Sequence, residues 1–71
     1  MKLNSLDLHG IRHHEVDLLV ENFVYLNQED MPLRIICGNS QRMINLAEES
    51  LISHSITFSS PRFGIIRIEK I

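Results

Sequence analysis

Asp7 and His9 stand two residues apart in the segment Ser5-Leu6-Asp7-Leu8-His9-Gly10. On an extended strand that spacing puts both side chains on one face. A carboxylate can orient an imidazole for proton transfer, or the pair can hold a divalent cation together with phosphate and water. Either arrangement suits hydrolysis of a phosphodiester. The same spacing has a plainer reading, in which Asp7 caps a loop N–H and His9 is a surface residue at a strand end. A second segment, Cys37-Gly38-Asn39-Ser40, offers phosphate-binding chemistry. Gly38 lets backbone approach a phosphate closely, and the helix expected next supplies free N–H groups and a partial positive charge. Arg12, Arg42 and Arg62 fall in or beside the candidate loops, so each is a candidate phosphate contact. Arg34 and Lys70 are expected toward the other end.

Other chemistry-bearing residues carry less. His9 and His13 are four apart, but Gly10 separates them, so they are not the helical pair of a zinc protease. His13 and Asp17 share a helix face at i, i+4, which reads as a salt bridge or a solvated pair. Glu15 in a first helical turn suits the helix dipole. Cys37 precedes a helix N-terminus, which can lower a thiol pKa. Its alternation with Leu33 and Ile35 turns it toward the core, so it reads as a buried structural cysteine. Tyr25, Phe23, Phe58 and Phe63 form no ladder for stacking bases.

The elements that must position these residues follow from periodicity. Leu3 to Leu8 alternates, with Leu6 and Leu8 opposite Ser5, Asp7 and His9. Arg12 to Gln28 reads as a helix, burying Val16, Leu19, Val20, Phe23 and Val24. Leu33 to Cys37 is a second strand. Gln41 to about Ser53 is a second helix, capped by Ser40 or Asn39 and burying Met43, Leu46, Ala47 and Leu51. Ser55 to Ser59 is a third strand, Ser59-Ser60-Pro61-Arg62 a turn, and Gly64 to Ile71 the last strand. The order βαβαββ predicts an α/β domain of the two-layer α+β sandwich type. A four-stranded mixed sheet carries both helices on one face. Ligands of such sheets gather outside the carboxyl ends of parallel strands, where three loops would meet.

The chain has 71 residues, which is the size of a single domain over 1–71. Its 44% apolar and 23% charged content is that of a folded globule. One cysteine excludes a disulfide scaffold. No apolar run is long enough to span a membrane, and Met1-Lys2 leads into residues too polar for a signal peptide, so a cytoplasmic setting is expected. The net charge of −2, histidines neutral, argues against a coat-like nucleic-acid binder but allows local contact with one phosphate.

The start Ser5-Leu6-Asp7-Leu8-His9-Gly10, followed by Glu15 and an amphipathic helix, resembles the small MutS-related, or Smr, domain. Members begin Leu-Asp-Leu-His-Gly, continue through an apolar strand into a Thr-Gly-x-Gly-type loop, and close with a glycine and an apolar strand. Here the loop is Cys37-Gly38-Asn39-Ser40 and the closing strand Gly64-Ile65-Ile66-Arg67-Ile68. The resemblance implies a fold similar to the C-terminal domain of bacterial translation initiation factor three. It also implies binding of DNA or RNA and, in some members, nicking or endonuclease activity with a divalent metal, Mg²⁺ foremost. The family's cleavage element maps to Asp7 and His9, and Asp7 would position either a metal ion or His9. Its binding loop maps to Gly38 and its neighbours. Cys37 replaces the threonine, Ser40 the second glycine, and Asn39 stands where a basic residue is frequent, so the loop loses positive charge.

The sequence therefore leads to a nucleic-acid-binding Smr-like domain with metal-assisted nicking activity. Asp7 and His9 act on the phosphodiester, while Gly10, Arg12, Gly38, Asn39, Ser40, Arg42 and Arg62 hold the nucleic acid. The alternative is a non-catalytic nucleic-acid-binding or protein-adaptor module that keeps the fold. A third reading is a weak homodimer formed through a sheet edge or the exposed apolar residues Ile36 and Ile65.

Overall fold

Apolar and polar residues alternate along the strands, and that alternation decides which side of the sheet the helices cover. The computed structural model describes residues 4–71. Its strands are β1 (Ser5–Asp7), β2 (Leu33–Ile36), β3 (Thr57–Arg62) and β4 (Ile65–Lys70), and its α-helices are α1 (Val16–Leu26) and α2 (Gln41–Ser53). The sheet order is β1-β2-β4-β3. β1 and β2 are parallel, and β4 runs antiparallel to both β2 and β3. β3 is therefore parallel to β1 and β2, and the carboxyl ends of all three meet at one edge.

Leu8, Leu33, Ile35, Ile56, Ile66 and Ile68 are buried, with Leu6 and Phe58 half-buried beside them. Val16, Val20 and Val24 of α1 and Met43, Ile44, Ala47 and Leu51 of α2 complete this core. The expected two-layer α+β architecture, with its four-stranded mixed sheet and two helices on one face, is the observed one. The opposite face of the sheet is uncovered.

Element boundaries differ from expectation for local reasons. The first helical segment is not continuous over Arg12 to Gln28. A 3-10 turn at His13–Glu15 precedes α1, and another at Gln28–Asp30 follows it. Asn27 leaves the helical region at φ −119°, ψ 24°, and its side chain donates to the Phe23 carbonyl at 2.7 Å, satisfying one of the helix's terminal acceptors. α2 begins as expected, with Ser40 as its N-cap: the Ser40 hydroxyl accepts from the Met43 N–H at 3.1 Å. It ends at Ser53, and Ser55, with φ 58°, then turns the chain so that the Ile56 N–H reaches the Leu51 carbonyl at 2.9 Å.

The largest shift is in the hairpin. Ser59-Ser60-Pro61-Arg62 is strand rather than turn. Pro61 is tolerated because β3 is an edge strand and its register slips between Ser59 and Arg62. The turn falls at Phe63-Gly64, where Gly64 has φ +85°. Ser55 and Ile56 precede β3, and Ile71 follows β4, so the third and last strands are shorter at these ends than the alternation alone indicates. The expected strand start at Leu3, like Met1 and Lys2, lies outside the described residues.

Candidate nucleic-acid interface

Three connections converge on the edge where β1, β2 and β3 end. The first, from Leu8 to Arg12, follows β1 and contains Gly10 at φ +76°. Asp7 is the last residue of β1, and its register partner is Ile36, the last of β2. Leu6 and Leu8 face the helices, so Asp7 belongs to the open face and is exposed. Its carboxylate Oδ1 accepts the His9 backbone N–H at 2.9 Å. The plainer sequence reading of Asp7, as a cap on a loop N–H, is thus realised in the structure. The chemical reading is compatible with it, because both Asp7 and the His9 ring remain open to solvent. His9 itself lies in the turn beyond the strand end, so strand alternation does not fix its ring direction.

The second connection, Cys37 to Ser40, joins β2 to α2. Gly38 has φ +71° and, like Asn39, is exposed. Ser40 is half-buried and occupied as the N-cap acceptor, which leaves its hydroxyl proton free to donate. The third connection is the Phe63-Gly64 turn, and it supports the second from beneath. The Cys37 N–H donates to the Gly64 carbonyl at 2.7 Å. A Cβ on Gly64 would collide with the Gly38 carbonyl. Gly64 is therefore needed both for its positive φ and for the close approach of two backbones. By alternation alone it reads only as the start of a strand. The signal present in the sequence was its position between an aromatic and an isoleucine run, which is also a hairpin signature.

The arginines divide. Arg12 precedes the 3-10 turn and is exposed. Arg42, in the first turn of α2, donates from Nε to His13 Nδ1 at 2.9 Å, tying the first connection to the second. His13 thus pairs with Arg42 and not with Asp17. Asp17 instead accepts the Ser50 hydroxyl at 2.6 Å, and His54 Nε2 lies 3.4 Å from the same carboxylate oxygen. These contacts tie α1 to α2 and explain why Ser50 is a buried polar residue. Arg62 ends β3 opposite Ile65, at the same edge as Asp7 and Ile36. Arg34, expected at the far end, lies one pleat in from this edge. It pairs with Arg67 across the sheet, and a concavity of about 420 Å³ on the open face is lined by Arg34, Arg62 and Arg67. This grouping was hidden in the sequence because β2 and β4 are separated by a helix and a strand but are neighbours in the sheet.

Cys37 is buried, as expected, and burial pushes its thiol up to about 11, with the Glu48 charge adding to the effect. A nucleophilic thiolate needs the opposite shift, so Cys37 is a structural cysteine. Glu48 of α2 accepts from the Ser60 hydroxyl of β3 at 3.1 Å. Among the described residues, Asp17, Glu21 and His54 bring three ligand atoms within 4.8 Å of one another, but on the helices rather than at the Asp7 edge. At that edge Asp7 presents an exposed carboxylate. One carboxylate suits Mg²⁺ only when substrate phosphate and water fill the remaining positions.

No helix among the described residues is long and apolar enough to cross a membrane. No protein-family model matches the sequence, and no curated protein matches it. Solved structures do. The solution structure of the SMR domain of NEDD4-binding protein 2 aligns with a TM-score of 0.71 and 24% identity, covering 100% of this chain and 88% of that one. The crystal structure of the human small-MutS related domain aligns with a TM-score of 0.69 and 26% identity, covering 93% of this chain and 99% of that one. Both alignments run nearly end to end on each side, and the fold of this chain is that of an Smr domain.

Proposed function

We propose that this domain binds DNA or RNA at the edge where β1, β2 and β3 end, and that Asp7 and His9 nick a phosphodiester held there. The observation that carries the reading is the convergence itself. Parallel β1, β2 and β3 bring Asp7 and His9, the Gly38-Asn39-Ser40 connection and Arg62 to one side of a small domain. The Smr fold supports a nucleic-acid-binding domain, and the motif resemblance favours cleavage.

In this mechanism the Gly10 and Gly38 turns and the unpaired N–H groups at the start of α2 cradle the phosphate. Asn39 and Ser40 add side-chain donors in place of the charge missing from the loop. Arg12, Arg42 and Arg62 contact flanking phosphates. The exposed His9 ring takes a proton from the attacking water or returns one to the leaving oxygen. Asp7 fixes the connection through the His9 N–H and is the residue that would hold Mg²⁺. The cation, when bound, would neutralise phosphate charge and acidify a coordinated water.

Nicking of supercoiled plasmid and of end-labelled RNA with Mg²⁺, comparing wild type with His9→Ala and Asp7→Asn, tests this. Loss of cleavage in both variants is expected. Undiminished cleavage in His9→Ala would assign the activity to a contaminant. A second reading, binding without cleavage, is favoured by the altered loop, in which Ser40 is committed to capping α2 and Asn39 carries no charge. It predicts retained binding with no product from either substrate.

A further inference from the structure

The uncovered sheet face carries an arrangement that the fold does not require. Arg34 and Arg67 are direct cross-strand partners, and like charges placed opposite one another destabilise a sheet. Arg62 lies one pleat further toward the Asp7 edge on the neighbouring strand. Glu69 offsets part of this charge, with its Oε1 3.4 Å from Arg67 Nε, but its Oε2 is also engaged by the Ser59 hydroxyl at 2.8 Å. Arg34 and Arg67 are exposed, so neither is held by packing. The three arginines line a concavity of about 420 Å³ together with Pro32, Pro61 and Ile65. That volume lies in the range of pockets that take small ligands. The row of register partners at the edge is Asp7, Ile36, Ile65 and Arg62, of which Ile65 and Arg62 also line the concavity.

We infer that the open sheet face is a track for single-stranded nucleic acid, with Arg34 and Arg67 gripping backbone phosphates one or two nucleotides from the group presented to Asp7. The inference rests on the proposed nucleic-acid function and adds the surface and the strand state. Charge complementarity identifies the occupant: two mutually repelling guanidiniums gain when an anion lies between them. The concavity selects a single strand, because one nucleotide unit can enter it while the phosphates of a rigid duplex ride on a convex surface. Ile36 and Ile65, both half-buried, offer an apolar floor beneath a sugar or base. The grip is at Arg34 and Arg67, and the phosphodiester to be cut sits at the Asp7 edge.

Fluorescence anisotropy with labelled dT12 and U12, a 12-base-pair duplex, and phosphatidylserine vesicles as a competitor tests this on the whole chain. The double variant Arg34→Ala/Arg67→Ala is expected to bind single strands on the order of tenfold or more weakly. Its slope of log affinity against log salt should be shallower by about 1.4, the value for two lost phosphate contacts on a single strand. Because the pair repels itself, the variant should melt no lower than wild type at low salt, which separates a binding role from a structural one. Arg34→Lys/Arg67→Lys should keep most of the slope. Unchanged affinity and slope in the alanine variant, with wild type binding well, would overturn the sheet-face track while leaving the proposed function standing. Preference for duplex, or displacement of oligonucleotide by vesicles at equal charge, would overturn it as well. Failure of wild type to bind any oligonucleotide would remove both.

Discussion

The two faces of this sheet are built from alternate residues of the same strands, yet they obey different rules. The covered face presents Leu8, Leu33, Ile35, Ile66 and Ile68, each at most 1% exposed. Every one is explained by burial against α1 and α2. The open face presents Asp7, Arg34 and Arg67, which are exposed and bury nothing in the core, with the arginine pair setting like charges opposite one another. Residues that the fold requires and residues that it merely tolerates are thus separated by a single Cβ alternation. In so small a domain that separation indicates where function is placed.

The sharpest way to break the comparison is at the open edge. His9→Ala and Asp7→Asn should lower nicking by about 10²- to 10⁴-fold while leaving the thermal midpoint nearly unchanged, since both side chains are exposed. A nicking assay paired with thermal melting checks both halves of that expectation. The converse comes from the covered face. Ile35→Ala should cost about 2–5 kcal/mol in chemical denaturation, a large share of the stability of a 71-residue domain.

Gly64→Ala falls between the two faces. Its positive φ and the collision with the Gly38 carbonyl predict a loss of about 2 kcal/mol or more, accompanied by weakened oligonucleotide binding through the displaced loop. Denaturation and anisotropy on the same preparation read both effects. Ser40→Ala removes the α2 cap and should cost about 1 kcal/mol in denaturation.

Cys37 gives a smaller, pH-dependent effect on the covered side. Its folded-state thiol is raised from the ordinary 9.0 to about 11, so the folded protein holds this proton more tightly than the unfolded chain. The resulting stabilisation is complete below about pH 9 and is lost as pH rises toward 11. Thermal midpoints across this window should fall less steeply in Cys37→Ala than in wild type. The same burial predicts slow alkylation by iodoacetamide at neutral pH in the native state.

The covered face was almost entirely legible in the sequence, because period-2 and period-3.6 patterns directly encode which residues are buried. Ile66 and Ile68 alternate with Ile65, Arg67 and Glu69, and the valines of α1 follow helical spacing. Boundaries were harder. Pro61 and its serine neighbours look like a turn in isolation, and only the position of β3 at the sheet edge makes them strand. The site was legible in its local parts, namely the Asp7-Leu8-His9-Gly10 segment and the Gly38 loop. What depended on tertiary pairing was not. The meeting of Arg34 with Arg67, the Arg42–His13 bond and the Gly64 support of Gly38 each join residues far apart in the chain. No short-range pattern records such pairs.

The central claim is that the open face and the edge of β1, β2 and β3 together form the nucleic-acid surface, with the helix layer serving as support. Titration of the ¹⁵N-labelled domain with dT12 in Mg²⁺, followed by amide chemical shifts, tests it most directly. The account predicts shifts concentrated at Asp7 to Arg12, Gly38 to Arg42, Arg62 to Ile65, and Arg34 and Arg67. Shifts confined to the outer surfaces of α1 and α2, around Asp17, Leu18 and His54, would contradict it.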